Sequence, residues 1–575
     1  MTVYQSSRSL AAPADSLTVP EFMLDNPFLQ PDSSNPAKPD WVCFVDDATG
    51  RGIRFSEVRS RVGYLCAALH EPGYVQITPG DIVALISSND IDYPVSCWAV
   101  HRLGGTIAPM NPASTADEMA HLFRLAVPAV IIVQKESVAL VQDAAKSAGL
   151  AKYGTIVMDT SVGPTSEYPP TIGSLVAHGK TLLPFSQPAL PPGEAKTKVA
   201  YMAFSSGTTG LPKAVCISHY NVIVNILQAE AITQVYDPEL RWEEKRHRPG
   251  DVCSGVLPMY HMYGLLMNLH FVFYTRMTLV VTKHFNFEKM LDSIARYRIT
   301  NLMLVPPMLL LICKHPAVKR YDLSSVRTCI AGAAPISAEL THNLLRVLPG
   351  IHFGQGYGMT ETCAAVSIFP ISPKVGVLGS GGKLIPGTLA KIVKSDGTLG
   401  STGERGELYV QGPQVTLGYY KNPAATNESY IEDGWLRTGD EAYFDEEGNI
   451  FIVDRIKELI KVNGLQVAPA ELEGHLLDHA DVADAAVIGV PDDFSGELPC
   501  AFILLQPQTA SEVKNDAQAQ KKVKDSIFKH VSATKSRYKW LTGGIEFVEV
   551  IPKSPSGKIL RRLLREQRAV PRAKL

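Results

Sequence analysis

The sequence predicts an α/β protein: a large N-terminal domain of two doubly wound sheets, a small β-barrel-like unit, and a small α+β domain at the C-terminal end. First, strand and helix patterns alternate twice, before residue 135 and again between residues 251 and 305. Such alternation implies parallel sheets covered on both faces. Second, the pattern changes near residue 380 to Gly-rich turns and short β segments. Third, 575 residues are too many for one hydrophobic core.

The N-terminal domain is predicted to cover residues 41–454. Before it, residues 1–40 are rich in Pro, Ser and Asp and are expected to be irregular. Ser56 can cap a helix whose apolar stripe is Val58, Val62, Leu65 and Leu69. The first half then has strands at 81–86, 106–109 and 129–133 and helices at 92–103 and 116–125. The second half has strands at 251–257, 279–281 and 301–305, a long helical stretch, and a helix at 287–297.

The last third of the chain predicts the two smaller units. Short strands at 390–393 and 406–410 belong to the β-barrel-like unit. Beyond them come a helix near 468–478, strands at 485–489 and 501–505, and a Lys-rich helix around 517–533. We place the domain boundary at Asp454–Lys457, so the C-terminal domain covers residues 455–572.

Composition excludes several function classes. A formal net charge of −2 gives no sign of a nucleic-acid partner. The nine cysteines are scattered singly, which argues against a zinc site and a disulfide framework. The longest apolar run, residues 302–312, is too short to cross a bilayer, so no membrane span is predicted.

One stretch has the chemistry of a phosphate-binding loop: Phe204-Ser-Ser-Gly-Thr-Thr-Gly-Leu-Pro-Lys213. Backbone N–H groups freed by two glycines can surround an anion, and the hydroxyls and the ammonium add donors. The spacing differs from that of a Walker A loop, Gly-x-x-x-x-Gly-Lys-Ser/Thr, because Leu and Pro separate Gly210 from Lys213. A flexible linker is the alternative, but apolar segments on both sides argue against it.

These residues resemble the signature loop of the adenylate-forming superfamily, which includes acyl-CoA synthetases, 4-coumarate–CoA ligases, beetle luciferases and the adenylation domains of peptide synthetases. The resemblance extends over roughly residues 40–565. It implies that the loop holds the phosphates of ATP through Ser205, Ser206, Gly207, Thr208, Thr209, Gly210 and Lys213. Ala214 stands where the family usually has glycine, and we expect ATP binding to tolerate one methyl group.

Three further motifs match the family in its order along the chain. Ala331-Gly-Ala-Ala-Pro335 resembles the loop beside adenine and includes Ala333. In Gln355-Gly-Tyr-Gly-Met-Thr-Glu361, the resemblance implies that Thr360 contacts the α-phosphate and that Glu361 helps to hold Mg²⁺. The rest of that motif, Gln355, Gly356, Tyr357, Gly358 and Met359, is assigned to AMP binding, and the Tyr357 ring can stack on adenine. Asp440 is assigned to the ribose hydroxyls, for which a carboxylate is a suitable acceptor.

The C-terminal motifs are assigned by the same resemblance. By composition alone, residues 454–466 are an amphipathic surface segment. The family gives Arg455 to the nucleotide, makes Lys457 the hinge of a mobile C-terminal domain, and gives Lys461, Gly464 and Gln466 to the substrate or CoA. Asn463 and His284 stand where plant coumarate ligases have lysines that face CoA. Lys558, on a Ser-Gly turn, matches the lysine that brings positive charge to the carboxylate and the reacting phosphate.

The acyl pocket is expected around residues 258–267, with His261 at its mouth and Tyr263, Leu265 and Met267 in its wall, completed by Ala333, Gly356 and Ala364. No carboxylate occurs between residues 258 and 270, whereas amino-acid-activating relatives place an aspartate there. Thr362-Cys-Ala-Ala365 departs from the Ala-Gly-Pro-Val of plant coumarate ligases. Its smaller side chains favour a roomier pocket, suited to an aryl-alkyl, medium-chain or polyketide-like acid.

The resemblance implies an acid–thiol ligase that uses ATP, Mg²⁺ and CoA in two steps, acyl-AMP formation and then thioester formation. A luciferase-like oxygenase and a non-catalytic AMP-binding relative are the alternatives. Ala573-Lys-Leu575 resembles the Ser-Lys-Leu address, so we expect recognition by the peroxisomal import receptor, with the cytoplasm as the other location. A role in peroxisomal lipid or secondary metabolism would follow. The oligomeric state is left open.

Overall fold

The computed structural model describes residues 2–31, 40–72, 75–159, 169–205, 212–554 and 557–569. Within these residues the strands form four sheets. Two are large, mostly parallel and flanked by helices, one is small and antiparallel, and one belongs to the C-terminal domain. The predicted fold class is confirmed.

The first large sheet has six strands. In spatial order they are Gly154–Met158, Val130–Gln134, Ile82–Ile86, Thr106–Met110, Val199–Ser205 and Lys213–Ser218. The first five are parallel, and the last pair is antiparallel. The phosphate-loop stretch therefore joins two neighbouring strands at one end of this sheet. The helices of this half are Phe55–His70, Tyr93–Arg102, Ala116–Ala126, Val138–Ala148, Ile172–Gly179 and His219–Thr233.

The second large sheet has nine strands. In spatial order they are Lys383–Leu384, Ala364–Ile368, His352–Met359, Thr328–Ala331, Asn301–Leu304, Val252–Gly255, Thr278–Val281, Val42–Asp46 and Gly52–Arg54. The strands from His352–Met359 to Val42–Asp46 are parallel, and antiparallel strands flank them on both sides. Its helices are a π-helical segment, Tyr263–Phe271, that continues as Val272–Tyr274, and Phe287–Tyr297, Pro306–Lys314 and Ala338–Val347.

The small antiparallel sheet is the β-barrel-like unit. Its strands are Tyr4–Gln5, Leu389–Val393, Gly406–Gln411, Leu436–Phe444 and Ile450–Arg455, and the helix Pro423–Ser429 lies between the third and fourth. The expectation that residues 1–40 are irregular is wrong in part. Tyr4 pairs at the sheet edge and its ring stacks on Phe444 at 4.0 Å. A helical turn at Glu21–Asp25 buries Phe22, because apolar residues interrupt the Pro- and Ser-rich sequence there.

The C-terminal domain has its own sheet and core. The strands Leu465–Val467, Ile460–Val462, Gly496–Leu505 and Val482–Asp492 lie in that order, and Gly544–Phe547 pairs in parallel with Gly496–Leu505. The helices are Pro469–Leu476, Pro507–Val513, Ala517–Ser532 and Arg561–Ala569.

The crossing between the two domains is short. The strand Ile450–Arg455 ends the small antiparallel sheet, and Ile460–Val462 begins the C-terminal one. The chain therefore passes between domains at residues 456–459, where Lys457 is exposed. Among the described helices, none has the length and apolarity needed to cross a membrane.

Candidate active site

A cavity of about 190 Å³ lies where the two large sheets meet. Ser205 ends a strand of the first sheet, while Ala331 and Met359 end strands of the second, and all three line the cavity. Open α/β sheets bind ligands outside the carboxyl ends of their strands. A larger cleft of about 760 Å³ lies between the N-terminal and C-terminal domains and shares Arg455 and Lys558 with the cavity.

Lys558 reaches the cavity from the C-terminal domain. Its turn is held by the Lys558 backbone N–H, which donates to the Ser554 hydroxyl at 3.2 Å. Gly557 lies at φ +81°, and a Cβ there would come within 3.2 Å of Val305, so glycine lets the turn approach the N-terminal domain. Burial, then the neighbouring Arg455, lowers the pKa of Lys558 to about 8. The ammonium is thus brought to the site in a partly dehydrated state.

His261 faces the same cavity and is uncharged at neutral pH. Burial, followed by the charge of Lys558, lowers its pKa to about 4. Its Nδ1 accepts a hydrogen bond from the backbone N–H of Tyr263 at 3.3 Å. A neutral imidazole can donate or accept a hydrogen bond at the mouth of the pocket but adds no charge.

Asp440 is held by two polar side chains at the cleft. The Tyr357 hydroxyl donates to Asp440 Oδ2 at 2.5 Å, and Arg455 Nε lies 2.6 Å from Oδ1. Asp440 and Arg455 are directly opposed on neighbouring antiparallel strands, which fixes this ion pair. The Asp440 charge, opposed by burial, raises the pKa of Arg455. The carboxylate keeps lone pairs that can accept from ribose hydroxyls.

Glu361 lies on a helical turn, Thr360–Thr362, that follows the strand His352–Met359. Gly358 makes this turn possible, since a Cβ there would come within 1.5 Å of the Ala364 carbonyl oxygen. The Thr416 backbone N–H donates to the Glu361 carbonyl at 3.0 Å, and the Tyr419 hydroxyl donates to Glu361 Oε1 at 2.8 Å. Thr360 and Glu361 both line the cavity, as the sequence predicts.

The loop after Ala331 forms one wall of the cleft. Ala333 has φ +74°, a conformation that a small residue adopts most easily. Gln355 supports the loop, because its Oε1 accepts from the Ile336 backbone N–H at 3.0 Å. Ala333, Gly356, Tyr357 and Gly358 line both the cavity and the cleft, and Gln355 lines the cleft. The predicted adenine-side residues therefore lie together around the cavity and the cleft.

The predicted acyl-pocket residues line the cavity, with one correction. Tyr263 and Met267 face it together with Ala364, and the Tyr263 hydroxyl donates to the Ile330 carbonyl at 3.2 Å. Leu265 was predicted to line the pocket and does not: it is fully buried in the main hydrophobic core. Side chains four apart share a helix face, whereas a residue between them points elsewhere.

The residues predicted for the thioester step lie outside both openings. Lys461, Asn463, Gly464 and Gln466 occupy an exposed hairpin of the C-terminal domain, where Asn463 and Gly464 form the turn at φ +50° and +80°. His284 lies on an exposed loop after Thr278–Val281. Their assignments stay predictions. In the phosphate loop, Ser206, Gly207, Thr208, Thr209 and Gly210 lie outside the described residues.

Tyr419 is a site residue that sequence reasoning missed. Besides its bond to Glu361, its ring lies under Lys213, whose Nζ is 4.7 Å from the ring centroid. Lys213 is thus linked to the cavity through Tyr419. The motif Leu417-Gly-Tyr-Tyr420 has no spacing that distinguishes a site residue from a core aromatic.

Two large α/β sheets, a small C-terminal domain, and a cavity that brings together Glu361, Lys558 and Ser205 of the phosphate-loop stretch are the features of an adenylate-forming enzyme. The family model described as AMP-binding enzyme matches residues 32–420, and the AMP-binding enzyme C-terminal domain matches residues 471–558. The chain belongs to this family of AMP-binding enzymes.

Two named relatives support the same family. The chain is 36% identical over 534 residues to 4-coumarate–CoA ligase 5 of Oryza sativa subsp. japonica, covering 92% of each chain. It is 35% identical to acyl-CoA synthetase 7 of Caenorhabditis elegans, over 92% of this chain and 93% of that one. Homology thus identifies an AMP-forming CoA ligase that uses ATP and CoA.

Solved structures share the fold. ATP-bound MatB from Rhodopseudomonas palustris superposes with a TM-score of 0.78 at 25% identity, over 96% of this chain and 99% of that one. The anthranilate CoA ligase AuaEII, in complex with anthranoyl-AMP, superposes with a TM-score of 0.80 at 22% identity, over 96% and 97%. The second likeness supports the fold alone.

Proposed function

We propose that this ligase activates an aryl-alkyl, medium-chain or polyketide-like acid, with Mg²⁺ at Glu361, and then transfers the acyl group to CoA. The observation that carries the proposal is the meeting of Lys558, His261 and Glu361 around one cavity that also has apolar walls. The acid's carboxylate would lie at its mouth and the acyl chain inside it.

In the first step the carboxylate attacks the α-phosphorus of ATP, an acyl–O–P bond forms, and pyrophosphate leaves. The nucleophile is already an anion, so the protein mainly positions and neutralises charge. Lys558 would supply positive charge beside the reacting groups, and Thr360, which lines the same cavity, would contact the α-phosphate. Asp440, held by Tyr357 and Arg455, would bind the ribose.

Mg²⁺ fits the residues present. Among the described residues, no group of three or more His, Cys, Asp or Glu could hold a metal. Mg²⁺ in phosphoryl-transfer sites is commonly bound by one or two carboxylates together with substrate phosphates. The Glu361 carboxylate in the cavity meets that requirement. When bound, Mg²⁺ would neutralise charge on the phosphates.

The acid class is proposed from the cavity wall. Tyr263, Met267, Ile330, Ala364 and Ile368 line it, and the Tyr263 hydroxyl is already bonded to the Ile330 carbonyl. Such a wall favours apolar acyl groups over an amino or hydroxyl substituent, because burying an unpaired polar group is unfavourable. Each buried methylene adds about 0.8 kcal/mol, or roughly fourfold in kcat/KM, until the cavity is filled.

The second step is proposed to follow rotation of the C-terminal domain about Lys457. The rotation would withdraw Lys558 and bring Lys461, Asn463, Gly464 and Gln466 towards CoA, with His284 on the other side. A thiol has an ordinary pKa of about 8.5 and needs little help to ionise.

We also propose that the protein is peroxisomal. Ala573-Lys-Leu575 resembles a peroxisomal address, and we infer that the import receptor reads it. These residues lie outside those the structure describes. Replacing Leu575 with aspartate should disperse a fluorescent fusion that is otherwise peroxisomal and leave ligase activity intact. A fusion that stays in the organelle would contradict this address.

The decisive experiment is pyrophosphate release with Mg·ATP over a panel of acids, with and without CoA, with product masses read from the same samples. Aryl-alkyl, medium-chain and polyketide-like acids should give acyl-CoA with pyrophosphate. Preference for coumarate over every aliphatic acid would contradict the proposed acid class. Acyl-AMP without acyl-CoA would contradict the thiol step.

Lys558→Ala tests the division between steps. The variant should lose adenylation and still form thioester from supplied acyl-AMP, because Lys558 neutralises charge only in the first step. Equal loss in both steps would contradict that role.

A further inference from the structure

Tyr419 lies between the end of the phosphate-loop stretch and Glu361. Its hydroxyl donates to Glu361 Oε1 at 2.8 Å, and the Lys213 ammonium lies over its ring, 4.7 Å from the centroid. One side chain therefore contacts two groups that are far apart in the sequence of the N-terminal domain and are both assigned to ATP.

The backbone holds Tyr419 in this place. The Cys216 N–H donates to the Gly418 carbonyl at 2.9 Å, and the Tyr420 N–H donates to the Ala214 carbonyl at 2.7 Å. Residues 417–420 thus run beside the strand Lys213–Ser218, which starts at Lys213. The Tyr430 ring packs edge-on against Tyr419, with centroids 5.8 Å apart. The ring has little freedom to turn away from Lys213 or Glu361.

A phenol suits this position on both sides. Its ring face carries partial negative charge and attracts an ammonium. Its hydroxyl donates to the carboxylate, and a hydrogen bond to a charged group is shorter and stronger than a neutral one. Phenylalanine would keep the first contact only, and leucine would keep neither.

We infer that Tyr419 is a positioning residue for the nucleotide: its hydroxyl orients the Glu361 carboxylate towards the metal, and its ring places Lys213 beside the phosphates. This rests on the proposed role of Glu361. With Oε1 held by Tyr419, Glu361 would have Oε2 and its remaining lone pairs free to hold Mg²⁺. Tyr419 itself is not assigned a contact with substrate.

The two contacts can be separated by measuring ATP binding without acid, so that no turnover occurs. Isothermal titration calorimetry is run in Mg²⁺ and in EDTA. For the wild type we expect tighter binding in Mg²⁺. Tyr419→Phe should reduce this Mg²⁺-dependent gain by about tenfold and leave the affinity in EDTA within about twofold. Tyr419→Leu should also weaken binding in EDTA, by about fivefold.

The matched control is Tyr420→Phe. This neighbouring phenol also has a lysine over its ring, Lys421 at 4.9 Å, and it packs with the core cluster on the other side. Removing the Tyr420 hydroxyl should change the ATP affinity neither in Mg²⁺ nor in EDTA. In steady-state adenylation, Tyr419→Phe should raise the Mg²⁺ concentration needed for half the maximal rate by about tenfold, with kcat at saturating Mg²⁺ within about twofold.

The outcomes separate this inference from the function on which it rests. If Glu361→Gln removes the Mg²⁺-dependent gain and Tyr419→Phe retains all of it, the inference is overturned and the role of Glu361 stands. If Tyr419→Phe weakens ATP binding equally in Mg²⁺ and in EDTA, the inference is also overturned, because the hydroxyl would then stabilise the fold and not orient a metal ligand. A wild type without any Mg²⁺-dependent gain would overturn both.

Discussion

Lys558 should give the adenylation step an alkaline limit that an ordinary lysine would not give. Burial in the interdomain site, and then the nearby charge of Arg455, lowers its pKa to about 8, and Asp440 and Glu458 oppose the effect. In the proposed mechanism the charged form neutralises the reacting phosphate, so activity should fall as pH rises through this pKa.

The size of this pH effect follows from the lowered pKa of Lys558. An ordinary lysine pKa is about 10.4, so a value near 8 corresponds to about 3 kcal/mol of lost preference for the charged form. About nine-tenths of Lys558 would be charged at pH 7 and about one-tenth at pH 9, so adenylation kcat/KM should fall roughly tenfold between them. Bound ATP is an anion and favours the ammonium, so the limit in kcat should lie at higher pH than the limit in kcat/KM.

The assay is pyrophosphate release without CoA, since the CoA thiol titrates in the same range. Lys558→Arg should be slower but lose the alkaline limit, because guanidinium stays charged. The control Lys553→Arg changes a lysine on the same segment whose Nζ pairs with Asp484 at 2.6 Å, and it should leave the limit unchanged. An alkaline limit that persists in Lys558→Arg would refute the reasoning.

Three further predictions concern ATP, the domain interface and acid stability. Asp440→Asn should raise the KM for ATP by about tenfold or more, because Arg455 and Tyr357 lose a charged partner. Burial, and then a hydrogen bond that protonated Asp478 donates to the Glu339 carboxylate, raise the pKa of Asp478 to about 7, so domain closure measured by energy transfer should weaken as pH rises from about 4 to 7, and Glu339→Gln should flatten that dependence. Burial lowers the pKa of His101 to about 3 and of His270 to about 4, so the free energy of unfolding should fall by about 2 kcal/mol per histidine between pH 7 and pH 5.

The signs of these pH effects differ. Asp478 binds a proton more tightly in the closed form, so its contribution to closure is complete below its ordinary pKa of about 3.9 and is lost as pH rises to about 7. The buried histidines stay neutral in the folded state while the unfolded chain protonates near pH 6.5, so their contribution is lost on acidification. Closure that is independent of pH, or urea midpoints that coincide at pH 5 and pH 7, would contradict them. Asp445→Asn, which alters a turn bonded to Asn449, is the control for Asp440→Asn and should leave the KM for ATP unchanged.

The local sequence pattern was sufficient to predict most helices and strands. The helix predicted at 287–297 forms at Phe287–Tyr297, with Asn286 capping it through a 3.0 Å bond from the Lys289 N–H. Its apolar residues repeat at helical spacing and its ends have clear stop signals, so no tertiary information was needed. The N-terminal segment lacked such a repeat, and its strand at Tyr4–Gln5 exists only because a distant sheet edge is available to pair with it.

The site was predictable only where the family motif names a residue. Asp440, Arg455, Thr360 and Lys558 are dispersed along the chain, and no spacing rule brings them together; the resemblance does, and the structure places them around connected openings. Tyr419 has no such motif, because its role depends on contacts made across the sheet. Leu265 was misplaced because a segment-level prediction does not say which face of a helix meets the cavity.

The proposed roles of Lys461 and Gln466 in the thioester step require that the two half-reactions use different conformations. Here Lys558 is in the cavity, while the hairpin bearing Lys461 and Gln466 is exposed away from it. Both belong to the C-terminal domain, so bringing the hairpin in must move Lys558 out. The interface can permit this, since polar contacts such as Lys314 Nζ to the Leu477 carbonyl at 3.0 Å can be replaced by water at modest cost. We expect such a rotation at the four-residue crossing, where Lys457 is exposed.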